Sequence, residues 1–155
     1  MTTIAVRLNP GNNFRGLTIV RLIAEGGMGL VYEVTHPFYR VHFALKVMRG
    51  EFCRNAEARE LFRREVDACR EMSNHPNSVH HEWSDAEDEQ PFIVMELLEG
   101  ATLEDYINGN PNLSQELRVS ILAQVTKAVA ALHELGYAHR DIKPSNIYLV
   151  KNFVG

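Results

Sequence analysis

The sequence predicts an α+β protein, its first third built from strands and its last third from helix. Three observations carry this reading. Two runs of β-branched and aromatic residues flank a glycine cluster near the N-terminus, apolar residues change to three- and four-residue spacing after Ala56, and a long apolar-striped segment lies between Ser114 and Gly136.

Each element follows from its local pattern. In "LTIVRLIAEGGMGLVYEVTH" the runs Leu17 to Ile23 and Leu30 to Thr35 predict a hairpin, and "HFALKVM", His42 to Met48, adds a third strand. Between Ala56 and Met72, the residues Leu61, Phe62, Val66, Cys69 and Met72 recur at helical steps among charges, which predicts an amphipathic helix. "HPNSVHHEWS" reads as punctuation after it. The acidic turn "DAEDEQ" then precedes "PFIVMELL", Pro91 to Leu98, whose nearly unbroken apolar run suits a buried strand. Ser114 is placed to cap a longer helix, Ile121, Leu122, Val125, Val129 and Leu132 form its stripe, and Gly136 closes it. The weakest joint is "NGNPN", Asn108 to Asn112.

Composition narrows the function classes. A chain of 155 residues suits one domain or a piece of a larger one, and 45% hydrophobic with 23% charged residues permits a buried core. Twenty acidic against 16 basic residues give a net charge of −4, scattered along the chain, which argues against nucleic acid or an anionic membrane as partner. Cys53 and Cys69 have no CxxC spacing, so neither a disulfide framework nor a zinc site is expected and a reducing cytoplasm fits. The opening "MTTIAVRLNPGNNF" lacks the charged start and apolar run of an export signal, and no window reaches the length of a membrane span.

Two features point to phosphate chemistry. "EGGMG", Glu25 to Gly29, taken alone reads equally well as an ordinary hairpin turn. A dinucleotide fingerprint would need these glycines to open a helix, whereas Val31, Tyr32 and Val34 continue as strand, and a phosphate-binding loop of the Gly-Lys-Ser/Thr kind has no match. What remains is a glycine turn whose backbone can lie close over a phosphate. Lys46, in the middle of the apolar "FALKVM", needs an anion or carboxylate to offset the cost of part-burying its charge. Glu65, on the helix face of Leu61 and Cys69, is the candidate, although a snorkelling lysine beside a surface glutamate is the plainer alternative.

In order along the chain, "AEGGMGLVYEV", "FALK", the helical Glu65, "HPNSV", "FIVMELLEG" and "HRDIKPSN" resemble the landmarks of eukaryotic-type protein kinases, most closely the bacterial serine/threonine kinases. The resemblance runs from about Phe14 to Val150. It implies a kinase-like N-lobe, an antiparallel sheet plus one helix, over residues 14–98, preceded by an extension over 1–13 and followed by a partial helical C-lobe over 99–155. It implies transfer of the ATP γ-phosphoryl to a Ser or Thr hydroxyl of a protein substrate, with ATP and Mg2+ as cofactors.

The roles it implies are specific. The turn at Ala24, Gly26, Gly27 and Gly29 would cover the phosphates, and Val31 and Ala44 would roof the adenine. Lys46, held by Glu65, would neutralise the α- and β-phosphates. Met95 would guard the back pocket, Glu96 and Leu98 would offer backbone groups to the adenine edge, and Tyr148 would lie beneath the ring. Asp141 would orient the substrate hydroxyl and accept its proton, Lys143 would steady the transferring group and Asn146 would ligate magnesium. His139 reads as a packing residue, and Arg140 would clasp a phosphorylated activation loop.

Departures from the pattern set further expectations. Ala24 stands where a first glycine is usual and would stiffen the turn, and Tyr148 replaces a leucine-like residue, so its hydroxyl needs a partner. After "IYLVKNFVG" the pattern calls for an Asp-Phe-Gly segment, an activation loop and further helices, and "NFVG" reads as the start of the next strand. For these 155 residues, poor or absent turnover is therefore expected, together with an apolar stripe on the long helix that a protein partner could cover. The alternative function is a non-catalytic nucleotide-binding or interaction module that regulates another kinase.

Overall fold

The protein is described here by a computed structural model that covers residues 7–151. These residues divide into two compact units, the first formed by the chain up to Ser73 together with His80–Leu97, the second by Asn74–Val79 together with the chain from Leu98.

The first unit is a six-stranded antiparallel sheet with one helix. Its strands are β1 (Asn13–Phe14), β2 (Leu17–Glu25), β3 (Gly29–Thr35), β4 (His42–Met48), β5 (His81–Asp85) and β6 (Phe92–Glu96), in the spatial order β1-β2-β3-β4-β6-β5. Alternation sorts the side chains onto two faces. Leu30, Tyr32 and Val34 of β3 join Leu45 and Val47 of β4 and Phe92 and Val94 of β6 in one core, closed by Leu8, Phe14, Leu17 and Ile19. Leu8, within the segment expected as an extension, is buried, and its amide donates to the Tyr32 hydroxyl at 3.0 Å. On the opposite face Met48 and Ile93 meet Phe62 and Val66 of helix α1 (Ala56–Glu71), whose complete burial is worth roughly 1.5–3 kcal/mol per side chain. Asn55 caps α1 by accepting from the Ala58 amide at 2.9 Å.

The β5–β6 turn is pinned from two sides. Arg15 grips Asp88 with two bonds, Nε to Oδ2 at 2.7 Å and a terminal nitrogen to Oδ1 at 2.5 Å, while Arg59 donates to the carbonyls of Cys53, Ala86 and Asp88. β5 corrects the expectation that "HPNSVHHEWS" is only punctuation. As the outer strand of the sheet it pairs with β6 alone and carries few apolar residues, so it shows no alternation in the sequence. Its Trp83 packs edge-on against Phe43, with ring centroids 5.4 Å apart.

The second unit contains a two-stranded sheet, β7 (Gly100–Thr102) with β8 (Tyr148–Val150), and helices α2 (Leu103–Gly109) and α3 (Gln115–Glu134). α2 was not expected from the sequence. Its signal is Thr102, whose Oγ1 accepts from the Asp105 amide at 3.1 Å and donates to the Asp105 carboxylate at 2.6 Å. Ser114 caps α3 by accepting from Leu117 N at 3.2 Å. Gly136, at φ +84°, ends it with paired bonds, Gly136 N to His133 O and Tyr137 N to Leu132 O.

The expected stripe of α3 is revised at Leu122. Ile121 is buried and Val125, Val129 and Leu132 are half-buried, but Leu122 is 64% exposed, because the next residue of a helix lies about 100° round the axis. Asn77 ties the 74–79 segment to this helix through Gln124 Oε1 at 2.9 Å. The "NFVG" expectation lies outside the described residues.

Candidate active site

In the first unit the candidate residues gather on one sheet face. Register opposes Ala24 to Val31, Val31 to Lys46 and Lys46 to Ile93, and in the next row opposes Glu33 to Ala44 and Ala44 to Met95. Directly opposed residues point the same way, so Ala24, Val31, Ala44, Lys46 and Met95 share the face that α1 partly covers. The Lys46 ammonium is ion-paired with Glu65 Oε1 of α1, with both side chains partly exposed. A charge on a half-buried strand thus has its counter-charge supplied by the helix packed beside it.

The glycine turn stands directly above this pair. Gly26 N donates to Gly29 O at 2.8 Å and closes the β2–β3 hairpin. Gly29 has a sharper reason to be glycine than freedom of the turn. A Cβ there would lie 3.1 Å from Lys46 Cε and 3.3 Å from Val47 O, so the missing side chain is the space through which the lysine stem passes. A Cβ on Gly27 would meet nothing within 4 Å, which leaves the tip of the turn open to a ligand. Glu96 is held by His80, whose carbonyl accepts from Glu96 N at 3.0 Å and whose amide donates to Glu96 Oε1 at 2.7 Å.

Cys69, one helical turn beyond Glu65, senses the same pair. Burial pushes its thiol up to about 11, the Glu65 charge adds to the rise and the Lys46 charge opposes it.

In the second unit the local sequence builds a second cluster. Lys143 is extended because it precedes proline, and Pro144 opens a single 3-10 turn, Pro144–Asn146, closed by Ile147 N to Pro144 O at 3.3 Å. That turn brings Asn146 back to Asp141. Asn146 Nδ2 donates to Asp141 O at 2.8 Å and to Asp141 Oδ2 at 2.9 Å, and Lys143 Nζ lies 3.3 Å from the same oxygen. The Asn146 bond, with Lys143 second, holds the Asp141 carboxyl below the usual carboxylate range. Arg140 sits at φ +64°, and the Asp141 amide donates to His139 Nδ1 at 3.3 Å.

Leu98 and Tyr148 belong to this unit. The Tyr148 hydroxyl donates to Gly100 O at 3.1 Å, which is the partner the sequence required of it. Gly100 itself went unnoticed in the sequence, as did Arg49, whose Nε donates to Gly26 O at 3.0 Å. Proximity to Lys46 was the available signal for Arg49, three residues further along the chain.

The oxygens of Asn146 and Asp141 are of the hard kind that magnesium takes. Among the described residues no group of three or more His, Cys, Asp or Glu could cage a metal, whereas the Asn146 bonds through Nδ2 leave its Oδ1 as a hard oxygen ligand beside the Asp141 carboxylate.

Such a fold, with a lysine–glutamate pair under a glycine turn and an Asp-x-Lys-Pro-x-Asn loop, defines a class, and comparison with known proteins gives the same class. Residues 17–154 match the protein kinase domain, and the chain belongs to that family. Among relatives, a probable serine/threonine-protein kinase of Clostridium perfringens is 35% identical over 144 residues, covering 93% of this chain and 20% of the relative. PrkC of Bacillus subtilis, a serine/threonine-protein kinase, is 36% identical over 131 residues, covering 84% of this chain and 20% of the relative. The crystal structure of a mutant Mycobacterium tuberculosis PknI kinase domain superposes with a TM-score of 0.78 at 29% identity, covering 93% of this chain and 59% of that one. The chain therefore spans about a fifth of the length of these curated relatives.

Proposed function

We propose that this chain carries nucleotide-holding and phosphoryl-transfer residues of a serine/threonine protein kinase that uses ATP and magnesium and acts on a Ser or Thr hydroxyl of a protein. The observation that carries the reading is Lys46, its ammonium fixed by Glu65 and its stem laid under Gly29. A cation fixed in advance stabilises phosphate charge without reorganising when that charge shifts. In this reading Lys46 meets the α- and β-phosphates, Ala24, Gly26, Gly27 and Gly29 cover them, Val31, Ala44, Met95 and Glu96 are adenine contacts offered by the first unit, and Leu98 and Tyr148 are those offered by the second. Asp141, kept ionised by Asn146 and Lys143, orients the substrate hydroxyl and accepts its proton. Asn146 would help to hold magnesium, and Lys143 would steady the group in transfer. ATP, when bound, supplies the phosphoryl group and its magnesium neutralises the triphosphate.

A second reading, an interaction module that regulates another kinase, draws on Val119 and Leu122 of α3, 58% and 64% exposed, as apolar surface suited to a protein partner. The unbridged thiols Cys53 and Cys69 favour a cytoplasmic setting. No helix among the described residues is long and apolar enough to cross a membrane.

Calorimetric titration with ATP and magnesium tests the first reading. Wild type is expected to bind and Lys46→Met to lose most of the affinity. A silent wild type, or equal affinity in the variant, would refute it.

A further inference from the structure

Arg49 follows β4 at the point where the chain leaves the sheet, and both of its backbone polar groups are engaged there. Its amide donates to Met28 O at 2.9 Å, and its carbonyl accepts from Phe52 N at 2.9 Å and from the Cys53 thiol at 3.4 Å. The residue is therefore anchored on both sides, and its side chain, only 27% exposed, is aimed at the glycine turn. Nε donates to Gly26 O at 3.0 Å, and a terminal nitrogen lies 3.5 Å from Glu25 Oε2. Glu25 Oε1 is taken by Arg7 at 2.8 Å. The turn is consequently held to β4 at three points, by the Lys46 stem under Gly29, by the Arg49 amide at Met28 and by the Arg49 guanidinium at Gly26.

We propose that Arg49 is a positioning residue for nucleotide binding, which fixes the glycine turn in its phosphate-covering conformation by bonding the Gly26 carbonyl. The proposal rests on the nucleotide reading above and adds a residue to it. A carbonyl turned toward the Arg49 guanidinium is turned away from an incoming phosphate, whose negative charge it would repel. Preorganising the turn removes part of the ordering cost from the binding step. The benefit falls on ligands with phosphates, because adenosine has nothing for the turn to cover.

The bond has a charged donor, and its partial exposure limits the expected effect to roughly a fivefold change. Arg49→Ala should therefore weaken ATP with magnesium about fivefold while leaving adenosine unchanged, and Arg49→Lys, which keeps the charge but lacks the fork, should recover part of the loss. In the nucleotide-free chain, exchange of the Gly26 amide should quicken by a similar factor in Arg49→Ala. The residue-49 backbone bonds survive any side-chain change, and a thermal melt confirms that the variants are folded. Equal weakening of ATP and adenosine, or unchanged Gly26 exchange, overturns the proposal. If wild type binds no ATP, the nucleotide reading fails, and the exchange measurement alone then decides whether Arg49 holds the turn.

Discussion

Among the glycines with a described environment, replacing Gly100 with alanine is the most severe single-methyl change, because nothing around the added group can yield. The residue sits at φ +151°, where a side chain is strained, and a Cβ there would lie 2.0 Å from Leu149 O, 3.0 Å from Leu149 C and 3.1 Å from Val150 Cα. All three are backbone atoms of β8, so no rotamer change relieves the contact. Carbon needs close to 3.5 Å from its neighbour, which requires β7 and β8 to part by about 1.5 Å. That separation breaks the pairing of Gly100 with Val150 and disturbs the Tyr148 bond to Gly100 O and the 2.7 Å bond from Lys151 N to Glu99 O. Two or three lost hydrogen bonds at about 1 kcal/mol each, plus about 1–3 kcal/mol of backbone strain, give roughly 3–6 kcal/mol. For a chain of this size the melting temperature should fall by about 10 °C or more, read by circular dichroism. Gly109→Ala is the control, since a Cβ there meets nothing within 4 Å, and it should melt as wild type. If Gly100→Ala melts alongside the control, the close approach of the two strands does not exist in solution.

Two further outcomes follow from the titratable groups. Cys69, pushed up to about 11, should be alkylated by iodoacetamide at pH 8 roughly 100-fold more slowly than an ordinary thiol, and more slowly still in Lys46→Met, which removes the opposing cation. Folding favours its neutral form, so its contribution to stability is complete below about pH 8.5 and is lost as pH rises through about 11; a free-thiol alkylation rate would contradict this. Asn146→Ala should raise the titration midpoint of the Asp141 carboxyl, followed by NMR, because the largest influence lowering it is removed. An unmoved midpoint would mean that the Asn146 bond is not made.

Much of the frame is written locally. β-branched runs around a glycine cluster specify the β2–β3 hairpin, His42–Met48 emerges as a strand with the expected bounds, and a serine and a glycine frame α3 through bonds to their own neighbours. Lys46 announced a buried charge in need of a partner, and the helical period placed Glu65 on the inward side, so their meeting was legible too. Elements without an apolar rhythm were not. β5 becomes a strand only because β6 offers it a ladder, and the cap at Thr102 is short enough to pass as loop.

What the sequence settles by itself is whatever a residue arranges with neighbours a few positions away, since period, caps and proline restrictions act within a turn or two of chain. Tertiary structure alone decided why Gly29 and Gly100 carry no side chain, that Arg49 bonds the glycine turn, and that Tyr148 spends its hydroxyl on a carbonyl 48 residues away. The physical reason is steric and electrostatic fit between segments distant in sequence, which no local pattern encodes.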